Sequence, residues 1–205
     1  MSRKLGILCL VLGFAFLLAA LSLLCYNTWE SQSALQSSRD ILIQMQSQQA
    51  QQPESTENPY EEHVNAFDQA AKEMTVREID GHEYIGYLSI PVLEQELPVM
   101  SQWAYEWLEI APCRQYGATK TDDLVIAAHN YVSHFGRLSQ LRASDLLTFT
   151  DMDGEVILYA VEAVDVLNPD AVDAVKNSGF DLVLYTCTYG GSSRIAVFCN
   201  RAAIE

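Results

Sequence analysis

An uninterrupted apolar run near the N-terminus constrains the architecture of this chain more than any other feature. No charged residue occurs from Leu5 to Leu24, and a helix of about 20 apolar residues is long enough to cross the hydrocarbon core of a bilayer. Arg3 and Lys4 precede the run, and the next basic residue is Arg39. Because basic flanks stay in the cytoplasm, residues 1–26 are predicted to form a cytoplasmic tip and a single-pass transmembrane helix, with the rest of the chain extracellular.

Two other kinds of N-terminal segment compete with an uncleaved anchor. A cleavable signal peptide has an apolar region of about 7–15 residues that ends at a small-residue site. Here Ala19 and Ala20 are small, but apolar residues continue to Leu24. A lipoprotein signal would use Cys25, yet the residue before it is a large leucine. The length of the run therefore favours an anchor that remains part of the protein.

The charge of the chain excludes one class of partner. The net charge is −15, and the two charges before the apolar run are both positive, so the exported part is more acidic still. An acidic surface repels polyanions. No nucleic-acid partner is predicted.

Two segments of different composition, residues 27–59 and 60–83, lie between the apolar run and the last part of the chain, residues 84–205. Residues 27–59 are rich in Gln and Ser and cannot bury a core, so they are predicted to form a polar stalk, with a short helix possible between Leu35 and Met45. Residues 60–83 carry apolar side chains at helical spacing and predict a helical segment that packs on the domain formed by residues 84–205.

From Tyr84 onward, short apolar runs alternate with turn residues, which is typical of strands. Asp153-Gly154 is a strong hairpin signal between two of the runs. A short helix is predicted over residues 103–110. The predicted strands cover residues 85–90, 97–100, 124–128, 146–150, 156–164, 181–187 and 194–199. Many short strands with few helices favour a mostly-β barrel or sandwich.

Three cysteines follow the predicted anchor: Cys113, Cys187 and Cys199. An odd number does not form a disulfide framework and points to a free thiol. Cys199 lies in an apolar strand, as a small core residue does. Cys113 and Cys199 are therefore both expected to be free.

Cys187 ends its predicted strand before a Gly-rich turn. If the turn is centred on the glycines 190–191, Cys187 faces Arg194, and directly opposed residues share one face of a sheet. A nearby cation favours the nucleophilic thiolate, and the same guanidinium could donate hydrogen bonds to an oxyanion. A longer loop would shift this register by a residue.

A cysteine nucleophile also needs a proton carrier, and histidine suits neutral pH. His129 follows the uniformly apolar strand 124–128, at a position where scaffolds often present catalytic groups. His134 is expected to cap or line the same loop, while His63 and His82 are expected on the surface.

Metal sites are weaker alternatives. A zinc site could combine His129, His134, Cys187 and Cys199. These residues lack the closely spaced ligand pairs of zinc sites. Residues 151–154 begin like a calcium loop but lack the downstream ligands. No metal and no other cofactor is predicted.

Together these residues resemble the sortase family of Gram-positive bacteria. Residues 184–187 are similar to the end of the family's Thr-Leu-x-Thr-Cys signature, and residues 85–91 followed by 97–99 are similar to its first two strands. His129 and Arg194 stand where the resemblance places the catalytic histidine and arginine. The order His, Cys, Arg is specific, because papain-like proteases carry the cysteine before the histidine.

The resemblance implies a closed eight-stranded β-barrel and a cysteine transpeptidase. Its catalytic residues would be Cys187, His129 and Arg194. Its substrate contacts would come from Thr186, Asn130 and Tyr189. The implied substrate is a surface protein with an LPxTG-like sorting signal, and the implied acceptor is a cell-wall peptide amine.

Departures from the family pattern leave the subclass open. Val183 replaces the first Thr of the signature, and the short connection 168–179 argues against a typical class B enzyme. Asp170 and Asp173 are the only acids near that connection that could serve a calcium site. Alternative functions are pilin polymerisation with a lysine acceptor, a silent module that binds sorting signals, and a plain endopeptidase.

Overall fold

The computed structural model describes residues 3–50 and 74–203, and the chain divides into two units, Met1–Ser33 and Ala34–Glu205. Helix α1 (Arg3–Ala50) contributes to both. In the first unit its apolar side chains, such as Leu10 and Phe16, are exposed. Within the described residues, no helix combines the length and the hydropathy of a membrane span.

The second unit is built on a single nine-stranded sheet. Its strands are β1 (Arg77–Ile79), β2 (His82–Ile90), β3 (Gln95–Met100), β4 (Cys113–Tyr116), β5 (Leu124–Ala128), β6 (Leu146–Asp151), β7 (Val156–Leu167), β8 (Leu182–Cys187) and β9 (Arg194–Arg201). The neighbour order is β1-β2-β3-β4-β5-β8-β9-β7-β6, and β6 also pairs with β2. That last pairing closes β2 to β9 into an eight-stranded barrel, so the predicted barrel is confirmed.

Apart from the C-terminal part of α1, helical structure in this unit is short, as predicted. The helix α2 (Val172–Lys176) connects β7 to β8, and the remaining turns of 3-10 helix are Pro91–Leu93, Trp107–Glu109, Thr119–Thr121 and Leu138–Gln140. The predicted helix over residues 103–110 is reduced to the 3-10 turn at 107–109.

The interior of the barrel is apolar. Leu88, Ile126, Phe149 and Leu184 are fully buried there. All five residues of β5 are buried, because the outer face of this strand is also covered. Its uniformly apolar sequence is what a strand with two covered faces requires.

The outer cover includes the C-terminal part of α1. Ile41, Leu42 and Met45 are buried in a second apolar cluster with Tyr84 and Ala127. These three positions share one helix face, because residues four apart are neighbours on a helix. The helix that the sequence allows between Leu35 and Met45 is therefore present as part of α1. Residues 34–50 are not a free polar stalk, because this part of the helix is docked on the barrel.

The predicted helical segment 60–83 lies mostly in residues 51–73, outside the described part of the chain. It is wrong for residues 74–83, where β1 and β2 form an antiparallel hairpin. Asp80 and Gly81 connect the two strands with φ of 51° and 79°. Both positive values suit a type I′ turn, and Asp-Gly is the preferred sequence for it. The sheet therefore begins at Arg77 rather than at residue 84.

Candidate active site

Two parallel strands bring His129 next to Cys187. In the pairing of β5 with β8, Ala128 is the partner of Thr186. His129 follows Ala128, and Cys187 follows Thr186. Because the two strands are parallel, both residues lie at the same edge of the sheet. Both also line a single cavity of about 280 Å³.

The antiparallel pairing of β8 with β9 adds the arginine. Cys187 and Arg194 are direct cross-strand partners, as predicted, and Arg194 lines the same cavity. Directly opposed residues have their Cβ atoms about 4.5–5.5 Å apart. The guanidinium is therefore within reach of any group that reacts with the thiol.

The connection between these two strands is longer than the predicted two-residue turn. The Gly191 amide donates to the Thr188 carbonyl at 2.9 Å, and the Thr188 amide donates to the Ser193 carbonyl at 3.0 Å. Gly190 and Gly191 do have positive φ values, 85° and 74°. The register survives because the bond between Thr188 and Ser193 fixes the base of the loop.

Hydrogen bonds to the loop that precedes β9 hold the Arg194 guanidinium in place. Its Nη1 donates to the carbonyls of Gly191 at 3.1 Å and Ser193 at 3.0 Å. Within the described residues, its Nε and Nη2 donate no hydrogen bond to the protein. The half-buried side chain thus combines a fixed position with donors that can bind a substrate oxygen.

The three predicted substrate contacts are placed differently from one another. Thr186 reaches the cavity wall, but its hydroxyl is buried and donates to the Ala128 carbonyl at 2.8 Å, so it ties β8 to β5. Tyr189 is 92% exposed in the loop. Neither Tyr189 nor the half-buried Asn130 lines the cavity.

His129 lies between two tyrosine rings. The ring of Tyr105 stands edge-on to it at 5.6 Å, and the ring of Tyr131 lies at 4.9 Å between centroids. Tyr131 in turn contacts His134 at 5.5 Å. These rings restrict the orientation of the His129 imidazole beside the thiol.

His134 is completely buried and does not line the cavity. Burial and, to a lesser extent, nearby His129 lower the pKa of His134 to about 4, while the carbonyl of Ile110 acts against both. His134 is therefore neutral at neutral pH. Of these two histidines, only His129 lines the cavity.

The other two thiols of the barrel differ from Cys187. Cys113 and Cys199 are free, as predicted, and buried. Burial raises the pKa of each to about 12, so neither forms much thiolate at neutral pH. Cys199 belongs to the barrel interior and does not line the cavity that His129 and Cys187 line.

The lining of the cavity is mainly apolar, and besides the candidate catalytic residues it contains a hydrogen-bonded pair of polar side chains. Leu108, Ala127 and Val175 contribute apolar surface, and Gln115 and Tyr185 contribute polar groups. Sequence reasoning missed both polar residues. Tyr185 could have been found, since it is two residues before Cys187 and alternation puts it on the same face. Gln115 lies on β4, which was not predicted.

Comparison with known proteins shows which family the chain resembles. Residues 88–202, more than half of the chain, match the family model described as Sortase domain. Sortase A of Bacillus anthracis is 28% identical over 141 residues, which cover 62% of this chain and 67% of that protein. Sortase A from Corynebacterium diphtheriae superimposes with a TM-score of 0.54 at 25% identity, covering 60% of this chain and 63% of that one.

A second similar solved structure is also a sortase. The pilus-related sortase C of Group B Streptococcus superimposes with a TM-score of 0.52 at 26% identity, covering 62% of this chain and 70% of that one. The family match coincides with the strands that carry His129, Cys187 and Arg194. This chain therefore belongs to the sortase family, whose members are cysteine transpeptidases.

Proposed function

We propose that this protein cleaves an LPxTG-like sorting signal and joins the new carboxyl end of a surface protein to a cell-wall peptide amine. The observation that carries the proposal is the direct pairing of Cys187 with Arg194, in a cavity that His129 also lines. A thiol, a cation and an imidazole at one sheet edge are the groups that covalent acyl transfer requires.

The first half-reaction forms a thioester. The thiolate of Cys187 attacks the carbonyl carbon of the scissile Thr, and the resulting oxyanion accepts hydrogen bonds from Arg194. When the C–N bond breaks, His129 gives its proton to the leaving amine. The products are a Cys187 thioester and the released C-terminal peptide.

The second half-reaction transfers the acyl group. The acceptor amine attacks the thioester carbonyl while His129 takes a proton from it, and the thiolate of Cys187 leaves. The thioester preserves the energy of the original peptide bond until the amine arrives. No cofactor takes part in either half.

The direct test is acyl-enzyme formation by the full-length protein in detergent micelles. Incubation with a sorting-signal peptide should add the mass of the peptide's N-terminal fragment to the protein. The adduct should map to Cys187 and be absent from Cys187→Ala, while an added amine should convert it to a ligated product. Release to water alone would instead identify an endopeptidase, and binding without any adduct would identify a silent module.

Pilin polymerisation is the second candidate, because the similar sortase C of Group B Streptococcus is described as pilus-related. In that reaction the acceptor is the side chain of a lysine. The two candidates separate when the preformed thioester is offered a lysine-containing pilin segment and a cell-wall peptide in competition. Preferential transfer to lysine would favour polymerisation.

We also propose that residues 1–26 anchor the protein in the cell membrane with the barrel outside. The support is the charge-free run from Leu5 to Leu24, preceded by Arg3 and Lys4, and the exposed apolar surface of this part of α1. Burying that surface in lipid would remove it from water.

Protease treatment of intact protoplasts tests this orientation. We expect digestion to remove the barrel and leave a membrane-embedded fragment that ends near Asn27. A cytoplasmic control protein should survive and an exposed surface protein should be digested. Survival of the barrel under those conditions would contradict the proposed orientation.

A further inference from the structure

A hydrogen-bonded pair of side chains interrupts the apolar lining of the active-site cavity. The Tyr185 hydroxyl donates to Oε1 of Gln115, and both residues line the cavity. Tyr185 lies between Ala127 of β5 and Ala196 of β9 in the sheet. Because both neighbours are small, the tyrosine ring has no bulky flanking side chain within the sheet.

The position of Gln115 depends on an irregularity of β4. Arg114 pairs with Ile126 and Tyr116 with Val125, so the register shifts at Gln115. Bulges of this kind redirect a side chain relative to a regular strand. Gln115 is half-buried, and its side chain meets Tyr185 at the cavity.

The pair leaves hydrogen-bonding capacity for a ligand. The tyrosine bond uses Oε1 of Gln115, and within the described residues the Nε2 group donates to no protein acceptor. The Tyr185 oxygen retains lone pairs that can accept. Burial raises the pKa of Tyr185 to about 12, and the neighbouring Cys187 acts in the same direction, against the Gln115 bond and Arg194. The phenol therefore stays neutral.

The pair also lies at a defined distance from the nucleophile. Tyr185 is two residues before Cys187 in β8, which is about 7 Å along a strand. An extended peptide with its scissile carbonyl at Cys187 covers that distance in two to three residues. In an LPxTG-like signal the position two residues before the scissile Thr is proline. The first residue of the signal is thus the one whose side chain can meet the pair.

We propose that Gln115 and Tyr185 determine substrate specificity by selecting a carboxamide side chain, such as Asn, at the first position of the sorting signal. This inference rests on the proposed function. The Gln115 Nε2 would donate to the substrate's side-chain oxygen, and the substrate's amide would donate to the Tyr185 oxygen. A leucine of the same size would displace water and leave both protein groups unpaired, which disfavours its binding.

The experiment compares two peptides that differ only in Asn or Leu at the first position, using the full-length protein in detergent micelles. The measured quantity is the ratio of their rates of acyl-enzyme formation at Cys187. Since leaving a buried polar group unpaired is costly, the Asn peptide should react roughly tenfold to a hundredfold faster. Gln115→Met, which keeps the length of the side chain, should reduce this ratio at least about fivefold.

Two further variants separate specificity from damage to the fold. Tyr185→Phe should also lower the ratio, because it removes the bond that orients Gln115. Gln140→Met alters an exposed glutamine outside the cavity and should leave the ratio unchanged. General damage would lower both rates together without altering their ratio.

Failure of the specificity inference and failure of the proposed function give different results. If the parental protein forms the thioester at least as fast with the Leu peptide, or if Gln115→Met leaves the ratio unchanged, the specificity inference is overturned while the proposed function stands. If neither peptide acylates Cys187, the proposed function fails and the inference fails with it.

Discussion

Replacing His129 with alanine should lower the rate of acyl-enzyme formation by about 10²–10⁴, the usual contribution of a general acid or base. His129 lines the cavity with Cys187 and is the group proposed to protonate the leaving amine. The measurement is the single-turnover rate of thioester formation, followed by intact mass over a range of pH. Circular dichroism and the melting temperature of the variant establish that it remains folded.

His134 provides the matched control. It is buried, absent from the cavity lining and neutral at neutral pH, so His134→Phe should retain acylation within a few-fold. The phenylalanine fills most of the volume and preserves the ring contact with Tyr131. Loss of activity in His134→Phe with retention in His129→Ala would mean that the proton carrier is assigned to the wrong histidine.

His134→Phe should also change how the free energy of unfolding depends on pH. The pKa of His134 falls from 6.5 in the unfolded chain to about 4 in the barrel, so the unfolded state binds the proton more readily. The contribution of neutral His134 to the free energy of unfolding is complete above pH 6.5 and is lost as the pH falls towards 4. His134→Phe should remove this part of the pH dependence, as urea unfolding at several pH values would measure.

The sequence predicts the pairing of Cys187 with Arg194 well because that pairing is local. Cys187 and Arg194 flank one hairpin, and any loop that pairs Thr188 with Ser193 brings them opposite each other. The buried strand β5 is likewise evident from its five apolar residues. Both predictions use interactions between chain neighbours or a strong composition signal, which sequence patterns express directly.

Other features depend on distant contacts and are not predictable in this way. The docking of Ile41 and Met45 requires the outer face of the barrel, which is assembled from strands far along the chain. Gln115 reaches the cavity through a bulge in the four-residue strand β4. A short strand gives too weak a periodic pattern to identify, and a bulge changes which face each side chain occupies.

Arg201 illustrates how such contacts change the choice of a control. From the sequence it is a second arginine on the same strand as Arg194, seven residues later, and a natural comparison. In the structure it forms an ion pair with Asp122 at 2.5 Å and donates to the Thr119 carbonyl. Its own amide donates to Asp181 at 2.7 Å. Arg201→Ala would therefore disturb the packing of a loop, and Arg142, which is exposed, is a better control.

Replacing Arg194 with alanine should slow acyl-enzyme formation by about 10²–10³, the typical effect of removing one oxyanion donor. The melting temperature should change little, because the side chain is half-exposed and its protein contacts are two carbonyls of its own loop. Arg142→Ala should keep both the rate and the melting temperature. Rates for the three proteins, measured with the same peptide, test the assignment directly.

Arg194→Lys distinguishes charge from geometry. Lysine restores the positive charge opposite Cys187, but it lacks the planar fork of donors that a guanidinium offers. We therefore expect Arg194→Lys to recover only part of the rate of acyl-enzyme formation that Arg194→Ala loses. Full recovery by Lys would mean that Arg194 acts through charge alone. A parental rate in folded Arg194→Ala would reduce the catalytic site to Cys187 and His129.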